Sequence, residues 1–181
     1  MRLLDNKKSG KVGDVIKEEL SPNSKLSILS SAFSIYAFEA LKKELSKVDY
    51  VRLLFSKMVL PVKDAESSAP VFQSLNGNKF ERRFRNRLDQ PQIARECAEW
   101  LTQKADIKAA ANPQMLNQNL VHIEVPQGDS IVIQGSSNFT TSGLGFSESD
   151  KFDMNTCLTD STSAKTLLDW FDSIWQDPKS V

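Results

Sequence analysis

A strand–helix–strand pattern between residues 25 and 55 is the sequence feature that most constrains the fold of this chain. Residues 25–33 alternate between apolar and polar side chains and are bounded by turn residues, which predicts a strand. Apolar residues then recur at helical spacing over about 35–47, and Tyr50–Phe55 predicts a second strand. A strand, a helix and a strand within roughly 30 residues form a βαβ unit, in which the two strands run parallel. The chain is therefore expected to build a sheet that is covered by helices.

The remaining elements extend this pattern along the chain. Further helices are expected over 15–20, over 79–88, from Pro91 through the stripe Ile93, Cys97 and Leu101, and over the C-terminal apolar stripe 167–175. Further strands are expected over 106–110, 116–125, 130–134 and 152–158. The turn PQGD joins two of these strands as a hairpin, so that pair should be antiparallel. The expected fold class is therefore α/β, with helices that can cover both faces of a mixed sheet.

Length and composition indicate one cytoplasmic domain. The 181 residues suit a domain over 1–176, with 177–181 as the start of a linker or tail. Lysine plus arginine and aspartate plus glutamate number 23 each, so any polyanion site must come from local clustering. No apolar run approaches the ~18 residues of a membrane span, and residues 1–8 lack the apolar core of a signal peptide. Cys97 and Cys157 form no motif, which indicates a reducing compartment.

The segment 131–144, IVIQGSSNFTTSGL, is the most informative stretch for function. An apolar strand runs into Gly135, Ser136, Ser137 and Asn138. The glycine lets the backbone approach a ligand closely, and hydroxyls, an amide side chain and backbone N–H groups can bind phosphate oxygens. The alternative is an ordinary turn, because the same residue types dominate turns.

Four blocks of the sequence resemble the phospholipase D superfamily. The similarity is to the single-motif nuclease-like domains at the N-terminus of bacterial superfamily-two helicases and in some restriction enzymes, and it covers nearly the whole chain. The blocks are DNKKSGKVGDVIKEEL, KLSILSSAFSIYAFEAL, GSSNFTTSGL and FDMNTCLTD. GSSNFT is the most specific of them, since it is close to the phosphate-binding signature of the family.

The resemblance implies a phospholipase D-like mixed β-sheet flanked by helices on both faces, and chemistry that needs no metal and no cofactor. It implies that Ser136, Ser137 and Asn138 hold phosphate oxygens of the substrate. Asp153 falls where the family usually has a glutamate that orients the catalytic histidine. Aspartate is one methylene shorter, which leaves that role open.

The catalytic half of the family motif, His-x-Lys, is replaced in this chain. In the family the histidine attacks phosphorus and the lysine stabilises charge on the phosphoryl oxygens. Asn117 and Asn119 stand at these two positions. Asparagine cannot act as the nucleophile and carries no charge, although it can still donate hydrogen bonds. The two asparagines could reflect natural decay of a catalytic site or engineered changes of an active His/Lys pair.

His122, the single histidine of the chain, is the alternative nucleophile. His122-x-Glu124 followed by Asp129 has the outline of the family motif, but a glutamate is the wrong charge beside a phosphate. Positions 117 and 122 also face opposite sides of a regular strand unless a bulge intervenes. The structural alternative is a strand histidine paired with Glu124 or with a backbone group.

A second candidate site is a basic segment, KFERRFRNRL, in the predicted helix 79–88. It could contact a DNA backbone, or it could be a solvated face paired with acids such as Glu96 and Glu99. Its basic residues are Lys79, Arg82, Arg83, Arg85 and Arg87.

These features favour a catalytically silent phospholipase D-like domain that binds DNA or mediates homodimerisation in a restriction- or helicase-type DNA-processing protein. A helicase or ATPase domain would then lie elsewhere in that protein, since this chain has no Walker-type phosphate loop. No Cys/His cluster has metal-ligand spacing, and no membrane partner is expected. The alternatives are an active homodimeric, metal-independent endonuclease or phosphodiesterase, and a protein-interaction scaffold with no nucleic-acid role.

Overall fold

The computed structural model describes residues 1–55, 90–112 and 117–181. These residues form a mixed α/β structure, in which four helices accompany one seven-stranded sheet. The strands are β1 (Arg2–Leu4), β2 (Lys25–Ser30), β3 (Tyr50–Phe55), β4 (Ala105–Ala109), β5 (Asn119–Glu124), β6 (Ile131–Gly135) and β7 (Asn155–Leu158). The helices are α1 (Val12–Glu19), α2 (Ile35–Leu45), α3 (Gln90–Lys104) and α4 (Ser161–Gln176).

The sheet combines a parallel half with an antiparallel half, in the order β1-β7-β6-β5-β2-β3-β4. Strands β2, β3 and β4 run parallel, which confirms the predicted βαβ unit. Strands β5 and β6 are antiparallel, which confirms the predicted hairpin. Strand β5 also pairs antiparallel with β2, and β7 pairs antiparallel with β6 and β1. Strand β5 therefore joins the two halves.

Helices cover both faces of the sheet. On one face α1, α2 and α3 pack through a large apolar cluster that includes Val15, Leu41 and Trp100. On the other face α4 packs through Phe171, which is fully buried, onto a smaller cluster. Successive strand residues point to opposite faces, so the buried strands contribute side chains to both clusters.

Capping side chains fix where two of the helices begin. The Oγ of Ser34 accepts a hydrogen bond from the N–H of Tyr36 at 3.2 Å and caps α2. The carboxylate of Asp160 accepts from the N–H of Ser163 at 2.8 Å and caps α4. Both caps satisfy backbone N–H groups that have no partner within the helix.

The stripe predicted on α3 is confirmed with one change. Ile93 and Cys97 are buried, whereas Leu101 is only partly buried and Trp100 takes the core position next to it. The indole Nε1 of Trp100 donates to the carbonyl oxygen of Leu45 at 3.1 Å, so this tryptophan ties α3 to the end of α2.

Element boundaries differ from the predictions where the backbone turns toward a partner. Strand β2 ends at Ser30 rather than at 33, because Phe33 leaves the strand and forms an isolated parallel bridge with Phe139. Strand β7 begins at Asn155 rather than at 152, and α1 begins at Val12 rather than at 15. Strand β1 was not predicted, because three residues show no periodicity. The predicted helix 79–88 lies outside the described residues.

The C-terminal residues contact the segment after β4 and the apolar cluster beneath α4. The N–H of Ala111 donates to the carbonyl oxygen of Ser180 at 2.9 Å, and Val181 packs against the α4 cluster. None of the helices in the described ranges is long and apolar enough to cross a membrane.

Candidate functional site

Four strand ends meet at one end of the sheet and create the candidate site. Because β5 is antiparallel to both β2 and β6, and β7 is antiparallel to β6, the ends of β2 and β6 lie beside the starts of β5 and β7. The residues at these ends are Ser30, Asn119, Gly135 and Asn155. The segment after Gly135 is the GSSN loop, residues 135–138.

Asn119 lies at the start of β5 and links the loops on either side of it. Its Oδ1 accepts from the N–H of Ser31 at 3.1 Å, and its Nδ2 donates to the carbonyl oxygen of Ser136 at 3.2 Å. In the strand register Asn119 stands opposite Gly135. The structure therefore brings one of the two asparagines directly to the GSSN loop.

Asn138 shares the same backbone donor. Its Oδ1 accepts from the N–H of Ser31 at 3.1 Å, and the Oγ of Ser30 lies 3.4 Å from the same oxygen. Its Nδ2 makes no hydrogen bond within the described part of the chain. The carboxamide is thus held through its oxygen, while its two N–H groups are free to donate to a ligand oxygen.

The two loop serines have different surroundings. Ser136 is exposed, and its Oγ accepts from the N–H of Met154 at 3.0 Å, which leaves its own proton available to a ligand. The Oγ of Ser137 instead accepts from Nδ2 of Asn155 at 2.8 Å and from Nδ2 of Asn6 at 3.0 Å. Ser137 therefore holds the loop in place, and Ser136 faces the solvent.

Asn6 connects the site to the N-terminal loop. Its Nδ2 lies 2.9 Å from Oδ2 of Asp153 and 2.8 Å from the carbonyl oxygen of Gly143, in addition to the contact with Ser137. Its Oδ1 accepts from the N–H of Val12 at 3.0 Å. The residue has a φ of 59°, a conformation that asparagine tolerates better than most side chains. Sequence reasoning missed Asn6, and the turn-rich stretch DNKKSG was the only local signal.

Close approach of neighbouring backbone explains two glycines near the site. A Cβ on Gly135 would lie 2.3 Å from the carbonyl oxygen of Met154, and one on Gly143 would lie 2.1 Å from the carbonyl oxygen of Asn138. The sequence suggests that Gly135 admits a ligand, but in the structure its small size admits strand β7 instead.

An aromatic pair anchors the loop to the core. Phe139 stacks on Phe33 with ring centroids 5.3 Å apart, and both rings are buried. The N–H of Phe139 donates to Oγ of Ser30 at 2.9 Å, and its carbonyl oxygen accepts from the N–H of Ser34 at 3.0 Å. The position of Asn138 is therefore fixed by the residue that follows it.

Other predicted site residues stand farther from Asn119. Asn117 is exposed and precedes β5 by two residues. Asp153 reaches the GSSN loop through Asn6 and Ser137. The basic residues of the second candidate site lie outside the described residues: Lys79, Arg82, Arg83, Arg85 and Arg87.

The structure does not bring His122 to the GSSN loop. Strand β5 pairs residue by residue with both neighbours and has no bulge, so Asn119 and His122 point to opposite faces. His122 lies on the face of α4 and is 1% exposed. Its Nε2 has no hydrogen-bond partner among the described residues, so the pairing expected with Glu124 or a backbone group is absent at that atom.

Burial controls the ionisation of His122. Desolvation lowers its pKa, and the nearby guanidinium of Arg52 acts in the same direction. The carboxylates of Glu124 and Asp172 oppose this shift. Arg52 itself donates to Oδ1 of Asp172 at 2.6 Å and to Oγ of Ser27 at 2.8 Å, which fixes the polar row beneath α4.

Comparison with known proteins identifies no family for the chain. A scan against protein-family models gives no match, and a search of curated proteins also gives none. Within the described ranges, no group of three or more His, Cys, Asp or Glu side chains is arranged to hold a metal ion.

Substitution of Asn6 tests its role as the connection between the loops. We expect Asn6→Gly to lower the free energy of unfolding by about 1–3 kcal/mol, because glycine keeps the positive φ but removes the side-chain hydrogen bonds. Asn23→Gly is the matched control, since Asn23 has a φ of 66° and is exposed. It should change stability by less than about 1 kcal/mol. Equal effects of the two variants in urea denaturation would contradict this role.

The buried histidine should make stability depend on pH. The pKa of His122 lies below its ordinary value in the folded protein, so the unfolded chain binds a proton first as the pH falls. The contribution of the neutral histidine to the free energy of unfolding is complete above about pH 6.5, and it is lost as the pH falls below that value. His122→Asn should therefore lose less stability than the parent protein between about pH 7.5 and pH 5.5. Denaturation curves with equal losses for both proteins would exclude a neutral buried His122.

Proposed function

We propose that this chain is a phospholipase D-like domain that binds the phosphate backbone of DNA without cleaving it. The observation that carries the proposal is the set of open donors at the converging strand ends. The carboxamide of Asn138 and the hydroxyl of Ser136 each accept a hydrogen bond through their oxygen atom. Their own N–H and O–H protons therefore remain available to a phosphate. The mixed sheet with helices on both faces supports the same proposal.

The chemistry of the asparagines argues against cleavage. A phosphodiester bond needs a nucleophile and a group that stabilises the charge on phosphorus-bound oxygens. The amide of Asn119 is neutral and already bonds to Ser31 and Ser136, so it supplies neither function. Asn117 is exposed, and its amide is not a nucleophile.

The second candidate is an active phosphodiesterase. Its version with His122 as nucleophile is disfavoured, because His122 lies on the opposite face of the sheet from Asn119. Its version with engineered asparagines is compatible with the geometry, because Asn119 stands in register with Gly135. Both the silent domain and the active enzyme are proposed to form a homodimer, in a protein that has a helicase or ATPase domain elsewhere.

Charge insertion at Ser136 tests phosphate binding. In Ser136→Asp the carboxylate can still accept from the N–H of Met154, but its charge should repel a phosphate. We expect DNA affinity, measured by fluorescence anisotropy, to fall about tenfold, which equals about 1.4 kcal/mol. Ser173→Asp makes the same substitution at an exposed position of α4 and should leave the affinity unchanged. Equal losses for both variants would show that the loop is not the binding site.

Introduction of the His-x-Lys pair of the phospholipase D superfamily tests whether these two side chains are all that catalysis lacks. The chain as it stands should not hydrolyse bis-p-nitrophenyl phosphate in the presence of a chelator. Asn117→His combined with Asn119→Lys should gain hydrolysis, because Asn119 stands in register with Gly135 and Asn117 precedes it by two residues. The matched control is Asn117→Gln with Asn119→Gln, which should gain none. Activity of the unchanged chain would refute the proposed silent domain.

A further inference from the structure

An exposed aromatic ring lies beside the candidate site. Phe152 is 94% exposed, although most large apolar side chains of the described ranges are buried. The ammonium nitrogen of Lys7 lies 4.8 Å from the centroid of the ring. A phenyl ring that stays in water on folding gains almost no burial energy, so this position provides little stability to the core. A ring with an open face and a cation beside it is suited to contact a flat, anionic ligand.

Hydrogen bonds tie this ring and this lysine to the GSSN loop. Phe152 immediately precedes Asp153, whose carboxylate lies 2.9 Å from Nδ2 of Asn6. Lys7 immediately follows Asn6, which also donates to Ser137. Phe152 and Lys7 therefore lie on segments that these hydrogen bonds hold beside the GSSN loop.

The charges around Phe152 are mixed. A cleft of about 390 Å³ between the N-terminal loop and residues 142–153 contains three lysines, Lys7, Lys11 and Lys151. It also contains the four acids Asp5, Glu148, Asp150 and Asp153.

Two of these four carboxylates are occupied within the protein. That of Asp5 accepts from the N–H groups of Lys7 and Ser9, which lower its pKa, and that of Asp153 accepts from Asn6. Charge alone therefore gives little net attraction for a polyanion here. A ligand that binds this surface must therefore also gain affinity from contact with the ring of Phe152.

Stacked duplex DNA cannot use such a ring, because each base is covered by its neighbours. An unpaired base exposes its face, and stacking on an aromatic side chain is a common source of affinity for single strands. We propose that this surface binds single-stranded DNA, with an unpaired base stacked on Phe152 and Lys7 contacting an adjacent phosphate. This inference rests on the proposed function, since it takes the GSSN loop as the site of the backbone phosphate.

The test compares a labelled oligothymidylate with a labelled duplex of equal length by fluorescence anisotropy. Phe152→Ala should weaken binding of the single strand about tenfold or more and leave duplex binding unchanged, whereas Phe152→Trp should restore the single-strand affinity. Ile107→Ala, which removes an exposed apolar side chain on β4 at the far edge of the sheet, should change neither affinity. Lys7→Gln should reduce the slope of log affinity against log salt by about 0.7 for the single strand.

The outcomes separate this inference from the proposed function. Unchanged single-strand affinity in Phe152→Ala, together with a loss in Ser136→Asp, overturns the inference and leaves phosphate binding by the loop intact. If the unchanged protein binds neither DNA, both fall. If Phe152→Ala changes only the sedimentation coefficient of the protein, the ring serves contact between copies of the chain and the inference is wrong.

Discussion

The antiparallel pairing of β5 with both of its neighbours is the constraint on which the rest of the structure depends. It joins the parallel half of the sheet to the antiparallel half and places the ends of β2 and β6 beside its own start. It also decides which side chains reach the site. A shift of one residue in its register would turn His122 toward the face that Asn119 now uses. The chain opposes this shift, because it would move His122 away from the charged groups of Arg52 and Asp172 toward the larger apolar cluster.

Neutral amide side chains join the loops of the candidate site. Asn119 both accepts from Ser31 and donates to Ser136, so a single side chain satisfies groups on two loops. Asn6 acts in the same way at the adjoining position, whereas Asn138 is held through its oxygen only. A site built in this manner is held together without a cation, and its amides can offer a phosphate hydrogen bonds but no charge. Under the proposed function, affinity for DNA must therefore come partly from other contacts around the site, such as Phe152.

Helices and strands with a regular pattern of apolar residues could be predicted from the sequence. The alternation in 25–33 and the helical stripe that follows gave the βαβ unit, and the PQGD turn gave the antiparallel hairpin. In a regular strand successive side chains alternate between faces, which placed positions 117 and 122 on opposite faces. The structure shows that β5 is regular from Asn119 onward. The role of Asn6 could not be predicted, because its partner Ser137 lies 131 residues away and no local pattern reports such a contact. The reason for Gly135 was also out of reach, since it depends on how closely β7 approaches.

The environment of His122 keeps this histidine away from the GSSN loop. Its ring is enclosed between the sheet and α4, where Nε2 lacks a partner and the pKa is lowered by desolvation. A buried nitrogen without a hydrogen bond costs about 1–3 kcal/mol, so this position carries a stability penalty. Rotation of the side chain cannot carry it through the sheet, and the regular pairing of β5 allows no local change of face. A phosphate at the GSSN loop would therefore lie on the other side of the sheet from this ring. Under the proposed function, the position of the histidine opposes cleavage, and so do the two asparagines.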